Sequence, residues 1–167
     1  MSTDVMVTVE TLGPDHFDAV ASWLADPAVN RWLTSEWRNR DVTSVVVAMA
    51  VRNKRNRLWV IRYHGSVCGI VGLADIDIAD RTAMIWYVLG DRSLSGQGIT
   101  TQAVKAIARL VFDEGLCSSL YAWIMEDNIA SRRVLEKSGF REAGRIRRAA
   151  CSDGQQVDRI YFDLTVP

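Results

Sequence analysis

Val5, Val7 and Val9 alternate with polar residues, and a period of two predicts a strand. Gly13-Pro14-Asp15 breaks it and opens a helix with an apolar face at Phe17, Val20, Ala21 and Leu24. Asp26-Pro27 ends that helix, because a residue before proline is pushed out of the helical region. A second helix is predicted from Thr43 to Asn53. Three apolar runs follow, Leu58–Tyr63, Ser66–Leu73 and Thr82–Leu89, separated by His64-Gly65 and Asp80-Arg81. These read as consecutive antiparallel strands. From Gly98 the period changes: Ala103, Val104, Ile107, Ala108 and Val111 make the stripe of an amphipathic helix, with Gly115 near its end. Leu120–Met125 reads as a buried strand. Asn128 can cap a helix over Ile129–Lys137 that Gly139 ends. Gly144–Ala150 and Arg159–Leu164, joined at Ser152-Asp153-Gly154, are the last strands. The order β-α-α-β-β-β-α-β-α-β-β indicates an α/β (α+β) fold: a mixed, mostly antiparallel sheet of about seven strands flanked by helices.

Length adds one constraint: 167 residues make a single domain spanning 1–167, large enough for a core without staples. Twenty basic and twenty acidic residues cancel, so no global charge draws the chain to nucleic acid or an anionic membrane. The longest apolar run, Val42–Val51, is too short to span a bilayer. The opening residues, MSTDVMVTVE, do not resemble a signal peptide, and a cytoplasmic protein is expected. Cys68, Cys117 and Cys151 are odd in number and lack CxxC spacing, which argues against a disulfide framework and against a metal site.

Two strand-to-helix junctions carry the chemistry. In the first, Gly96-Gln97-Gly98-Ile99-Thr100-Thr101-Gln102-Ala103 puts two glycines just before a helix. Helix N-termini leave N–H groups unpaired and carry positive partial charge, and glycine admits a ligand close to the backbone. Together they make a pyrophosphate cradle, or else a plain turn before a core helix. There is no GxxxxGK[ST] and no third glycine, which excludes a P-loop ATPase and argues against a Rossmann site. The second junction is Asn128-Ile129-Ala130-Ser131, continuing to Glu136-Lys137-Ser138-Gly139-Phe140.

With both motifs in this order, the chain resembles the GNAT superfamily of acetyl-CoA-dependent N-acetyltransferases, and within it the subgroup typified by the RimJ and RimL ribosomal-protein acetyltransferases. The resemblance implies a GNAT fold with the sheet splayed between strands four and five. It implies acetyl-CoA as co-substrate, no metal, and direct acetyl transfer to a primary amine. It further implies that Ser95, Gly96, Gln97, Gly98, Ile99, Thr100 and Thr101 hold the pyrophosphate, chiefly through backbone. Val88 and Leu89 would pair with the pantetheine arm, and Asn128 would bond its end. Ser131 would protonate the leaving thiolate. Basic residues would meet the 3′-phosphate; Arg92 to Arg148 contains ten Lys/Arg against six Asp/Glu.

The sequence also departs from the subgroup. Met84 stands where relatives carry a glutamate three residues before a tyrosine, here Tyr87. The replacement base is sought among Asp75, Asp77, Tyr87 and Glu36, the last in the loop after the first helix. Ser93 and Gln102 also differ from the pattern. Trp32, Glu36, Trp37 and Asp75 are expected to line the acceptor wall, with the tryptophans offering stacking or cation–π contact, or else filling core. Cys68 and Cys117 read as buried fillers. The acceptor implied is a protein N-terminal amine or a small-molecule amine such as an amino sugar or aminoglycoside, taken by a monomer or homodimer. A non-catalytic acyl-CoA-binding module is the rival from another class, motivated by Met84.

Overall fold

The fold is that of a computed structural model, which describes residues 7–38 and 40–166. Its strands are β1 (Val7–Thr11), β2 (Arg57–Tyr63), β3 (Ser66–Asp77), β4 (Thr82–Leu89), β5 (Ser119–Met125), β6 (Arg141–Ser152) and β7 (Gln155–Thr165). They form one sheet in the order β1-β2-β3-β4-β5-β7-β6. Val5, expected in the first strand, lies outside the described residues.

Every neighbouring pair is antiparallel except β4 and β5. A parallel pair needs a long crossover, and α5 (Ile99–Asp113) supplies it. The β4–β5 ladder holds only at Thr82–Ser119, Ala83–Leu120 and Met84–Tyr121. From Ile85 to Leu89 the β5-facing edge of β4 has no strand partner among the described residues. The mixed sheet and its splay both match expectation.

The helices lie in two layers. On one face, the α5 stripe Ala103, Val104, Ile107, Ala108 and Val111 is buried against Ile85, Leu120, Ile124 and Phe162, with Leu135 of α6 (Ile129–Lys137). On the other, Val20 and Leu24 of α1 (Phe17–Ala25) and Val47 of α4 (Ser44–Arg52) cover Val60, Ile70 and Val88. Each such side chain, fully buried, contributes roughly 1.5–3 kcal/mol before chain entropy is subtracted. Gly72 of β3 is a packing requirement here, since a Cβ would lie 2.6 Å from the Trp86 indole.

Between α1 and α4 the expectation of a loop needs correction. Asp26 ends α1 as predicted, but its carboxylate then accepts the Ala28 N–H (2.9 Å) and starts α2 (Pro27–Asn30). A further turn, α3 (Ser35–Arg38), carries Glu36 and Trp37, so Glu36 sits on a helix. The β6–β7 hairpin tip is tied to these turns. Arg31 pairs with Asp153 (2.6 Å), Arg38 donates to the Cys151 carbonyl (3.0 Å), and Ser152 donates to Asp127 (3.0 Å). Cys68 and Cys117 are buried as expected, while Cys151 is exposed.

Candidate active site

Where β4 and β5 part, a cleft of about 1490 Å³ opens through the sheet. One mouth is framed by α5 and α6, the other by α2, α3, α4 and Arg159 of β7. The Asp91 carboxylate accepts both the Ser93 N–H (3.0 Å) and its hydroxyl (2.6 Å), closing a turn that leads into the glycines. Gly98 is the N-cap of α5 at φ +77°, left-handed backbone that side chains disfavour. It provides no side-chain cap, so the first N–H groups of a 15-residue helix face the cleft. A Cβ built at Gly96 or Gly98 meets nothing within 4 Å, leaving room for a ligand rather than for protein. Ser95, Ile99, Thr100 and Thr101 also line this mouth; Gln97 does not, its side chain accepting the Tyr63 hydroxyl (3.2 Å).

Val88 and Leu89 lie on the unpaired edge of β4 and border the cleft. Opposite them, the Asn128 Oδ1 caps α6 by accepting the Ser131 N–H (3.1 Å), which leaves its amide N–H groups to other partners. The Tyr87 hydroxyl crosses the gap and donates to the Ser131 carbonyl (3.1 Å). Burial pushes the Tyr87 phenol well above its ordinary value, so it stays protonated. It can donate a proton or a hydrogen bond; it is not poised as a base.

Met84 forms the apolar floor where the last β4–β5 pair ends. Of the acids considered as bases, Asp77 faces its own turn, accepting the Asp80 N–H (2.9 Å). Asp75 borders the cleft but sits at a β-bulge, at φ +51°, and pairs with Arg55 (3.5 Å). Glu36 borders the cleft, is exposed, and has no ion-pair partner among the described residues. Trp32 and Trp37 both line the wall, but one face of Trp32 already carries the Arg31 guanidinium (4.5 Å), and Trp37 packs against Trp86 (5.9 Å between centroids). The cation–π seat expected of the pair is therefore largely taken up within the protein.

The excess of basic residues also resolves. Arg109, Arg132 and Arg145 are engaged with acids of the chain itself. Of the other seven, Arg92, Arg133 and Lys137 lie at the α5–α6 mouth. Among the described residues no three His, Cys, Asp or Glu side chains are placed to hold a metal, and no helix is long and apolar enough to cross a membrane. The cleft contains two residues that the motifs do not reveal, Trp123 and Arg159, whose guanidinium lies 4.0 Å over the Trp123 ring. Their contact depends on the β5–β7 register, for which neither strand carries a local signal.

The acetyltransferase (GNAT) domain family matches residues 7–141. The chain belongs to the GNAT family. Over 102 residues this GNAT chain is 31% identical to "Putative ribosomal N-acetyltransferase YdaF" of Bacillus subtilis (strain 168), a match covering 61% of the chain and 55% of that protein. Over 87 residues it is 40% identical to "Probable N-acetyltransferase YjcK" of the same organism, covering 52% and 48%. It thus spans about half the length of the curated relatives it matches. Among solved structures it is similar to Mycobacterium smegmatis RimJ in complex with CoA-disulfide, at 25% identity and a TM-score of 0.79, covering 96% of this chain and 82% of that one. It shares its fold with RimL, the ribosomal L7/L12 alpha-N-protein acetyltransferase in complex with coenzyme A, at a TM-score of 0.81 and 19% identity, covering 99% and 97%.

Proposed function

We propose that this GNAT chain, acting as one domain over 1–167, transfers an acetyl group from acetyl-CoA to a primary amine. The carrying observation is the convergence on one cleft of three groups with unmet hydrogen-bonding capacity: the uncapped α5 N-terminus behind bare Gly96 and Gly98, the unpaired β4 edge, and the Asn128 amide N–H groups at the start of α6. These suit, in turn, a pyrophosphate, an amide-bearing arm and a thioester end. Acetyl-CoA, when bound, supplies the activated acetyl group.

The chain's own residues then have separable tasks. The first-turn N–H groups of α5 hold phosphate oxygens, with Thr100 and Thr101 beside them. The edge at Val88 and Leu89 orients the pantetheine amides, and a free N–H there polarises the acetyl carbonyl. The Asn128 amide N–H groups anchor the arm near the sulfur. As the amine nitrogen bonds the acetyl carbon and the carbon–sulfur bond breaks, Ser131 Oγ would pass a proton to the departing sulfur and regain one from water, with Tyr87 fixing the Ser131 backbone from across the gap. The amine loses its proton through water to Glu36, a cleft carboxylate with no ion-pair partner among the described residues. Holding both reactants in the cleft supplies several kcal/mol of the barrier reduction.

The favoured acceptor is a protein N-terminus, as for RimL, an alpha-N-protein acetyltransferase of the same fold, and in line with YdaF, a putative ribosomal N-acetyltransferase; a small-molecule amine is the alternative. Met84 at the floor favours one further reading, a non-catalytic acyl-CoA-binding module. Calorimetric titration with acetyl-CoA, followed by an amine panel monitored for free thiol, separates them. Binding with amine-dependent thiol release supports the enzyme; binding with none across peptide, polyamine and amino-sugar acceptors supports the module.

A further inference from the structure

We propose that the acceptor bears an anionic group near its amine and that Arg159 binds that group; this rests on the acetyltransferase reading above. Residues directly opposed in a ladder share a face. The pairs Met84–Tyr121, Trp123–Tyr161 and Met125–Arg159 therefore place Arg159 and Trp123 on the same sheet face as Met84 and Trp86. That is the α1–α4 face, opposite α5 and its N-terminal cradle. Arg159 belongs to the acceptor side of the cleft.

Its environment is unusual among the arginines. The Nε of Arg159 is buried without a hydrogen-bond partner, and the guanidinium makes no ion pair among the described residues. Arg31 and Arg38 also bury an unpartnered Nε, but their terminal nitrogens bind Asp153 and the Cys151 carbonyl. Arg159 has only the Trp123 ring, 4.0 Å from its central carbon. A partly desolvated guanidinium held over an indole, with no counter-ion among the described residues, is costly alone. It also presents a rigid donor fork that matches a carboxylate or phosphate.

Charge in the cleft points the same way. Six cationic side chains border it against two acids, Glu36 and Asp75. Arg92, Arg133 and Lys137 lie at the cofactor mouth, leaving Arg40, Arg55 and Arg159 on the acceptor side. Arg55 is matched by Asp75 (3.5 Å). A polyamine meets repulsion there, whereas an amine with a neighbouring anion is attracted. The same cations disfavour the ammonium form of a bound amine. That assists deprotonation in a site whose floor is Met84 instead of a carboxylate.

The anion can belong to an acidic residue close to a polypeptide N-terminus or to a small amino acid, and the probes separate these. They are a short peptide with Asp at its second and third positions, the same peptide with Lys there, free aspartate, and spermidine. Binding is read from tryptophan fluorescence and turnover from free thiol, for the wild type, Arg159→Gln and Arg159→Lys. Acetyl-CoA affinity serves as the folding control. The wild type is expected to prefer an acidic probe over the Lys peptide and spermidine by at least about tenfold in kcat/KM, roughly one charge-assisted pair. Arg159→Gln is expected to lose that preference through KM, and Arg159→Lys to retain part of it. Preference for the Asp peptide over aspartate identifies the polypeptide source, and the reverse identifies the small molecule. An Asp/Lys peptide ratio unchanged in Arg159→Gln, or a wild-type preference for spermidine, overturns the proposal. If no probe releases thiol, the enzymatic reading fails separately and binding decides this one: acidic-probe binding lost in Arg159→Gln supports it, and equal binding of all probes overturns it.

Discussion

Replacing Gly98 by alanine isolates the role of the α5 cradle. At φ +77° an alanine is strained by roughly 1–2 kcal/mol, the cost of left-handed backbone for a residue with a Cβ. The added methyl clashes with nothing, since no heavy atom lies within 4 Å. Strain alone should lower Tm by about 2–4 °C per kcal/mol in a domain of this size. The methyl does, however, stand where a pyrophosphate would meet the N–H groups of α5. Loss of one charge-assisted hydrogen bond, about 1.5–3 kcal/mol, corresponds to a roughly tenfold to hundredfold weaker Kd for acetyl-CoA. Gly115→Ala is the matched control: its φ is +68°, it lies at the far end of α5, and its nearest neighbour, an Arg81 nitrogen, is 4.0 Å away. Both variants should lose similar thermal stability, but only Gly98→Ala should lose affinity in calorimetric titration. Acetyl-pantetheine, which lacks the pyrophosphate, should bind Gly98→Ala and wild type alike. If Gly98→Ala binds acetyl-CoA within about twofold of wild type, the glycine is only a turn and the cradle assignment is wrong.

Ser131→Ala should lower kcat by about tenfold to a hundredfold with acetyl-CoA affinity unchanged, read by steady-state thiol release; unchanged turnover removes Ser131 as the acid. Tyr87→Phe should destabilise the fold by about 1 kcal/mol in urea titration by removing the bond to the Ser131 carbonyl, with a smaller loss of kcat than Ser131→Ala. Gly72→Ala should cost about 1–3 kcal/mol and alter near-UV dichroism, because its Cβ must displace the Trp86 indole. The Asp158 carboxyl is held below its usual value of 3.8, first by the Arg148 backbone N–H and also by Arg145. A group depressed on folding contributes stability above its unfolded pKa and loses it as pH falls through the folded one. The urea midpoint should therefore drop as pH falls below about 4, and less steeply in Asp158→Asn.

Elements defined by local chemistry were legible in the sequence. The Asn128 cap and Gly139 bracket α6, which runs over Ile129–Lys137 as the pattern predicts. The apolar stripe from Ala103 to Val111 marks α5 for the same reason. The short turns α2 and α3 escaped because four residues carry no helical period. β6 and β7 run further than the apolar pattern suggests. Their polar ends pair through the Asp153-Gly154 turn, where both residues have positive φ, and β6 is exposed on both faces from Arg141 to Arg148, so it carries no alternation there. At the site, the glycines, Asn128 and Ser131 could be located because each sits at a junction with its own signature. Arg159 could not. Its seat on Trp123 depends on which residue of β7 faces which residue of β5, across 36 positions of chain. The splay has the same origin: it is set by where the β4–β5 ladder stops, and no residue of either strand marks that point.

The central claim is that the cleft joins a thioester to an amine. Its most direct test is mass spectrometry of the amine panel after incubation with isotopically labelled acetyl-CoA and purified protein. The account predicts labelled acetyl on an amine nitrogen in proportion to free coenzyme A, with an anion-bearing amine the best acceptor. Tight acetyl-CoA binding with no labelled amine, and thiol release no faster than in protein-free buffer, would contradict it.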